Sequence, residues 1–159
     1  MDHSLTADDV LAMAEQLERQ GAEFYRLAYE AMTAPSTRRK LAELADWEER
    51  HEKAFADMRA SLAIAPGGDE DRAIGEQYVR TWVDSHVFDR NSRQLLARCK
   101  GSQEIIELAL ELEKDSIVFY VGLKDYLGET VARAQLEAIL REEMRHVAML
   151  GKELAVVKT

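Results

Sequence analysis

Four stretches of this chain repeat apolar residues at alternating steps of three and four, and one shift of 95 positions lays the first stretch on the third and the second on the fourth. The first reads Leu11, Ala14, Glu18, Gly21, Tyr25, Ala28 and Met32, and the third reads Ile106, Ala109, Glu113, Ser116, Tyr120, Leu123 and Leu127. The second reads Leu41, Leu44, Glu48, His51, Phe55, Met58 and Leu62, which pairs with Leu136, Ile139, Glu143, His146 and Leu150 in the fourth. Steps of three and four keep a single face of a helix turned toward a core. The spacing therefore predicts four amphipathic helices. The constant shift, free of gaps, predicts one helical hairpin used twice and an all-α four-helix bundle of approximate two-fold symmetry.

Turn residues divide the same pattern. Only two prolines and eight glycines occur in 159 residues, too few for a sheet-rich fold. Thr6, with Asp9 three residues on, predicts an N-cap, and the first helix should run to about Ala34, before Pro35 and Ser36. The second should cover 36–64 and stop at Pro66-Gly67-Gly68. The third should start at Ser102 as N-cap and end at Gly128, and the fourth should occupy 130–156. A crossover over 65–101 joins the hairpins, with shorter helices expected from Gly75 to Phe88 and from Ser92 to Lys100. The whole of 1–159 reads as a single domain, hairpin one over 6–64 and hairpin two over 102–156.

Glu18, Glu48, His51, Glu113, Glu143 and His146 lie on the faces that bury Leu, Ile, Ala, Phe and Met, so each should be buried with them. An unpaired buried carboxylate costs several kcal/mol, and four converging on a bundle axis repel one another as well. Lys and Arg are absent from these stripe positions, which leaves metal ions as the balancing charge. Four carboxylates neutralise two divalent cations, with the imidazoles as neutral ligands. Residues three apart share a helix face, so Glu48-x-x-His51 and Glu143-x-x-His146 each present an oxygen and a nitrogen. With one Glu from each other helix, six ligands result. Mixed oxygen and nitrogen ligation suits iron or manganese; zinc more often takes fewer ligands.

Other features exclude alternatives. Cys99 is the only cysteine, so this sequence offers neither an internal disulfide nor a four-cysteine metal site. A net charge of -9 disfavours nucleic acid and anionic membrane as partners. The N-terminal MDHSLTADDV lacks a basic region followed by an apolar one, and no apolar run of membrane-spanning length appears, so a cytoplasmic location is the expectation.

The residues Ala14-x-x-x-Glu18 with Phe24-Tyr25, Glu48-x-x-His51, Ala109-x-x-x-Glu113 with Phe119-Tyr120, and Glu143-x-x-His146 resemble the ferritin-like di-iron superfamily, most closely its rubrerythrin-like branch. The resemblance spans all four long helices. It implies that Glu48 and Glu143 bridge two irons, that Glu18 and Glu113 are terminal carboxylates, and that His51 and His146 give each iron one nitrogen. Tyr25 and Tyr120 would donate hydrogen bonds that orient carboxylates.

Three departures stand out. Full-length rubrerythrins carry a four-cysteine rubredoxin module, absent from this sequence, so electrons should come from a separate donor protein. They also carry an extra carboxylate one turn beyond the third-helix Glu, where this chain has Ser116, which counts against the family's ligand-exchange step and with it efficient peroxide reduction. The crossover is longer than in typical members, and its Tyr78, Trp82 and His86 row reads as packing against the bundle. No role is assigned to His3. Bacterioferritin shares the ligand set, but Met144, comparable with its haem-binding methionine, falls on the other hairpin of the repeat, and the end at Val156-Val157-Lys158-Thr159 leaves no room for the fifth helix of ferritin cages.

The expectation is a non-haem di-iron oxidoreductase that reduces hydrogen peroxide or dioxygen and serves in oxidative stress. A ferroxidase that oxidises iron for storage is the alternative, and a metal-binding descendant without turnover a third. Manganese or zinc are possible substitutes for the two irons. A homodimer is expected, and Phe24, Phe119 and Trp47, beside the stripes, should face either a dimer surface or the crossover.

Overall fold

The computed structural model describes residues 5–62, 70–85, 91–128 and 130–159. Its helices are α1 (Ala7–Ala31), α2 (Pro35–Ala60), α3 (Glu70–Ser85), α4 (Ser92–Ala97), α5 (Ser102–Leu127) and α6 (Val131–Val157). Thr6 caps α1 as expected: its hydroxyl accepts from the Asp9 amide at 3.1 Å, and its own amide donates to the Asp9 carboxylate at 2.9 Å. Proline suits the first position of α2, where no intrahelical donor is needed, so the turn is Met32 to Ala34 and the helix starts at Pro35 itself. It ends at Ala60, short of the expected 64, with Ser61 as its C-cap and the Ser61 hydroxyl donating to the Asp57 carbonyl at 2.8 Å. The expected Pro66-Gly67-Gly68 stop lies outside the described residues.

Ser102 is the first residue of α5 rather than its cap. Gly101, extended at φ -178°, holds that position, and the Lys100 amide donates to the Glu104 carboxylate at 2.9 Å. At the far end Gly128 breaks the helix with φ 59°, a region that glycine enters without a Cβ clash. In the crossover, α3 begins five positions before Gly75, and α4 stops at Ala97, three short of Lys100.

α1 packs on α2 and α5 on α6, and the two hairpins meet through α1 with α5 and α2 with α6. Apolar stripes form a cluster at each end of the bundle. One gathers Leu11, Phe55, Met58, Tyr120, Leu123 and Leu136; the other gathers Tyr25, Ala28, Leu41, Leu44, Ile106 and Leu150. The stripe carboxylates and imidazoles occupy the layer between them.

The crossover helices cover the outer faces of α1 and α5. Trp82 of α3 lies 4.8 Å from the Phe119 ring, and Tyr78 packs so closely on α5 that a Cβ added at Gly122 would run into its ring. The Tyr78 hydroxyl donates to the Val118 carbonyl at 2.8 Å. Tyr78 and Trp82 thus pack against the bundle, while His86 and His3 lie outside the described residues. Phe24 is buried beside Ser92 and Leu95 of α4. Of the two fates expected for Phe24 and Phe119, the crossover is therefore the one seen, since each phenylalanine finds a crossover helix over it. Trp47 stands half-buried against the imidazoles of the middle layer. Truncating a buried phenylalanine of this kind costs about 3–5 kcal/mol. No helix among the described residues is long and apolar enough to cross a membrane.

Candidate metal centre

Each long helix delivers its polar stripe residues to one layer: Glu18 from α1, Glu48 and His51 from α2, Glu113 from α5, Glu143 and His146 from α6. None of the six is more than 5% exposed. Their ligand atoms form two groups, Glu18, Glu48, His51 and Glu143, and Glu48, Glu113, Glu143 and His146, with the atoms of each group within 4.8 Å of one another. Shifting the first group by 95 positions, forward for residues of hairpin one and back for those of hairpin two, reproduces the second. Glu48 and Glu143 belong to both.

The imidazoles turn the same atom inward. His51 Nδ1 lies 2.7 Å from Glu143 Oε1 and 3.4 Å from Glu18 Oε2. His146 Nδ1 lies 3.1 Å from Glu143 Oε2, 3.3 Å from Glu48 Oε1 and 3.6 Å from Glu113 Oε2. The two rings stack at 5.7 Å. Of these inward atoms, Glu18 Oε2 and Glu48 Oε1 are buried without a hydrogen-bond partner, and the His51 nitrogen is the one group beside Glu143 Oε1 among the contacts described. Buried polar atoms are normally satisfied. Converging oxygen and nitrogen donors left open in this way fit a pair of metal ions, and no Lys or Arg among the described residues forms an ion pair with any of the four carboxylates.

Electrostatics agree with the geometry. Burial first, then the charges of Glu18, Glu143 and Glu113, push the Glu48 carboxyl well above its usual range. Burial and Glu143 push Glu113 up to about 8, against the pull of His146. Burial and Glu18 work to raise Glu143 as well, but both imidazoles lean on it and its pKa falls. Burial opposes charging of the histidines, yet the adjoining carboxylates raise His51 to about 11 and His146 to about 9. Without metal the cluster thus retains protons that an entering cation displaces.

Around this layer the tyrosines cross between hairpins. The Tyr25 hydroxyl donates to Glu113 Oε1, and the Tyr120 hydroxyl donates to Glu18 Oε1. Each hydroxyl serves the carboxylate of the opposite helix, not the one on its own. Burial and the nearby carboxylates hold both phenols well above their usual pKa, so they remain donors. A cavity of about 50 Å³ reaches Glu48 and Glu113 between α1, α5 and the crossover, lined also by Gly21 and Ser116. A Cβ at Gly21 would lie 2.9 Å from Glu48 Oε2, so glycine lets that carboxylate approach α1. Ser116 Oγ donates to the Leu112 carbonyl at 3.2 Å. Met144 is exposed on α6.

Given this fold and cluster, the comparison with known families is decisive: the rubrerythrin family profile matches residues 9–154. The chain belongs to the rubrerythrin family. Its all-α ferritin-like di-iron fold is shared with the crystal structure of a candidate ferritin-like diiron-carboxylate protein from Thermotoga maritima, 25% identical over 98% of both chains, with a TM-score of 0.73. No curated protein matches the chain. Family and cluster together mark a metal-binding centre of the di-iron type.

Two features of the layer escape a reading of the stripes. Glu142, one position off the stripe, hydrogen-bonds His51 Nε2 at 2.8 Å across the α2–α6 interface. Trp47 stands edge to face against His146 at 5.6 Å, with the Arg50 guanidinium 4.1 Å from the indole centroid. Comparing positions 47 and 142, which the repeat relates, is the signal that points to both.

Proposed function

We propose that the chain holds two iron ions and reduces hydrogen peroxide or dioxygen with electrons from an external donor protein. One observation carries the reading: two buried ligand groups share Glu48 and Glu143. That sharing supports these two as bridging carboxylates, Glu18 and Glu113 as terminal ones, and His51 and His146 as one nitrogen for each ion. The oxygen-rich set with two imidazoles favours iron and admits manganese or zinc.

A bound ferrous pair supplies two electrons, which convert one hydrogen peroxide and two protons to two waters, or one dioxygen and two protons to one hydrogen peroxide. The chain's own groups prepare that chemistry. Glu48 and Glu143, common to both ligand groups, would hold the two ions together. Tyr25 and Tyr120 restrain Glu113 and Glu18, each donating to one oxygen and leaving the other for metal. The apolar clusters at the two ends exclude bulk water. The cavity beside Gly21 and Ser116 admits a molecule the size of hydrogen peroxide to Glu48 and Glu113 and is too small for a bulky organic substrate.

The test is anaerobic ferrous titration, followed by stopped-flow absorbance after mixing with peroxide and, separately, with air-saturated buffer. Two irons per chain, oxidised faster by peroxide and retained, are expected. Preference for dioxygen with release of ferric iron would move the reading to a ferroxidase. Failure to bind two irons would overturn both.

A further inference from the structure

The internal repeat relates His51 to His146, and both rings turn Nδ1 into the centre. Behind the rings they differ. His51 Nε2 meets the Glu142 carboxylate at 2.8 Å, whereas His146 Nε2 is buried with no hydrogen-bond partner. The residue that the repeat places where Glu142 would be is Trp47, and its indole stands 5.6 Å from the His146 ring at 81°. Arg50 lies over that indole, which also stands 6.5 Å from the His51 ring, so the indole faces both imidazoles while the Glu142 anion meets only His51.

This difference acts on any metal bound at Nδ1. An imidazole that gives Nδ1 to a metal carries its proton on Nε2 and needs an acceptor there. A carboxylate acceptor fixes that tautomer, holds the ring in orientation and strengthens the nitrogen as a ligand. Trp47 offers no oxygen acceptor, and the Arg50 charge beyond it favours no further donation from His146. Among the described residues Glu142 is the only carboxylate seen on either outer nitrogen.

We propose that the two metal positions are inequivalent, with Glu142 a positioning residue that makes the Glu18–His51 position fill first and bind more tightly, and with Trp47 leaving the Glu113–His146 position the weaker one. The proposal rests on the reading of the six residues as ligands of two metal ions, and its test separates the two. Anaerobic titration with Co(II), followed by its visible absorption and by calorimetry, is expected to show two resolved binding steps in the unaltered chain. E142A is expected to weaken the first step about 10- to 100-fold, bringing the two steps together, while leaving the second within about three-fold. E142Q keeps an oxygen acceptor without the charge and is expected to recover most of that loss. Thermal unfolding of the metal-free variants identifies any loss that comes from misfolding, which a purely structural role would produce in both variants alike.

Two equal sites in the unaltered chain would overturn the inequivalence while leaving the metal centre intact. A first step unmoved in E142A, or no recovery in E142Q beyond E142A, would overturn the role of Glu142. Absence of any Co(II) binding in the unaltered chain would instead overturn the underlying ligand reading.

Discussion

Glu143 and Glu153 lie ten positions apart on α6, both buried, and their surroundings are opposite. Glu153 accepts hydrogen bonds from the Thr37 hydroxyl and the Lys40 ammonium, tying the start of α2 to the end of α6. Burial works to raise its pKa, but those two partners and the Lys40 charge bring it below the usual range. Around Glu143 stand three more carboxylates and two imidazoles, and there Glu48 and Glu113 are driven up instead. Burial alone therefore does not mark a functional carboxylate. What separates the two places is the source of the balancing charge: one side-chain cation for one anion at Glu153, and too few protein cations for four anions in the middle layer.

The strongest way to break this contrast is to remove a shared carboxylate. Glu48→Ala or Glu143→Ala is expected to abolish binding of an ion pair, read as the metal-to-chain ratio after anaerobic ferrous titration. Two ions retained in either variant would put the middle layer in the same structural class as Glu153.

A sharper version uses stability. In metal-free chain, Glu48→Gln should relieve repulsion and raise stability, by about 1–4 kcal/mol on the scale for replaced buried ionic groups. The same change should reduce stabilisation by added metal, which for the unaltered chain reaches about 2.7 kcal/mol per site at a ligand concentration 100-fold above Kd. Urea unfolding with and without Co(II) checks both signs, and a metal-free variant less stable than the parent would contradict the repulsion argument.

Lys40→Met should act in the other direction, since it leaves Glu153 buried without its cation. Losing one partner of a fully buried pair costs about 3–5 kcal/mol, but the Lys40 side chain is 37% exposed, and solvent screening brings the expected loss to about 1–2 kcal/mol. An unchanged urea midpoint would show that Thr37 alone suffices.

The smallest effect is a pH dependence. Because the folded-state pKa of Glu153 is depressed, its contribution to stability is present above the unfolded carboxyl pKa of about 4.5 and is lost as pH falls through the folded value. Thermal unfolding of the parent and Glu153→Gln should therefore differ near neutral pH and converge in acid below about pH 4.5. A difference that grows on acidification would reverse the sign.

Much of this was legible along the chain. The convergence of Glu18, Glu48, His51, Glu113, Glu143 and His146 follows from stripes that must all face one axis, and the constant shift tells which helix pairs with which. The direction of the tyrosines was not legible: Tyr25 and Tyr120 share a face with Glu18 and Glu113 but stand two turns away, so each hydroxyl bonds the carboxylate that crosses opposite it, which is the other hairpin's. Glu142 and Glu153 were equally hidden, since an off-stripe glutamate on a charged helix reads as solvated until a neighbouring helix is set beside it. Phe24 and Phe119 looked outward because heptad position locates a residue relative to the bundle axis and says nothing of what a crossover lays over the outer face.

By itself the sequence determined the duplicated hairpin, the four long helices and the charge that their shared core must balance, because helical periodicity and the cost of burying a carboxylate act locally on each segment. Only the tertiary structure decided that Glu142 meets His51 and leaves His146 Nε2 without an acceptor, that Lys40 neutralises Glu153, and that the crossover closes over α1 and α5. Those outcomes depend on contacts between residues far apart in the chain, and the helix crossings that create them leave no periodic trace in either partner.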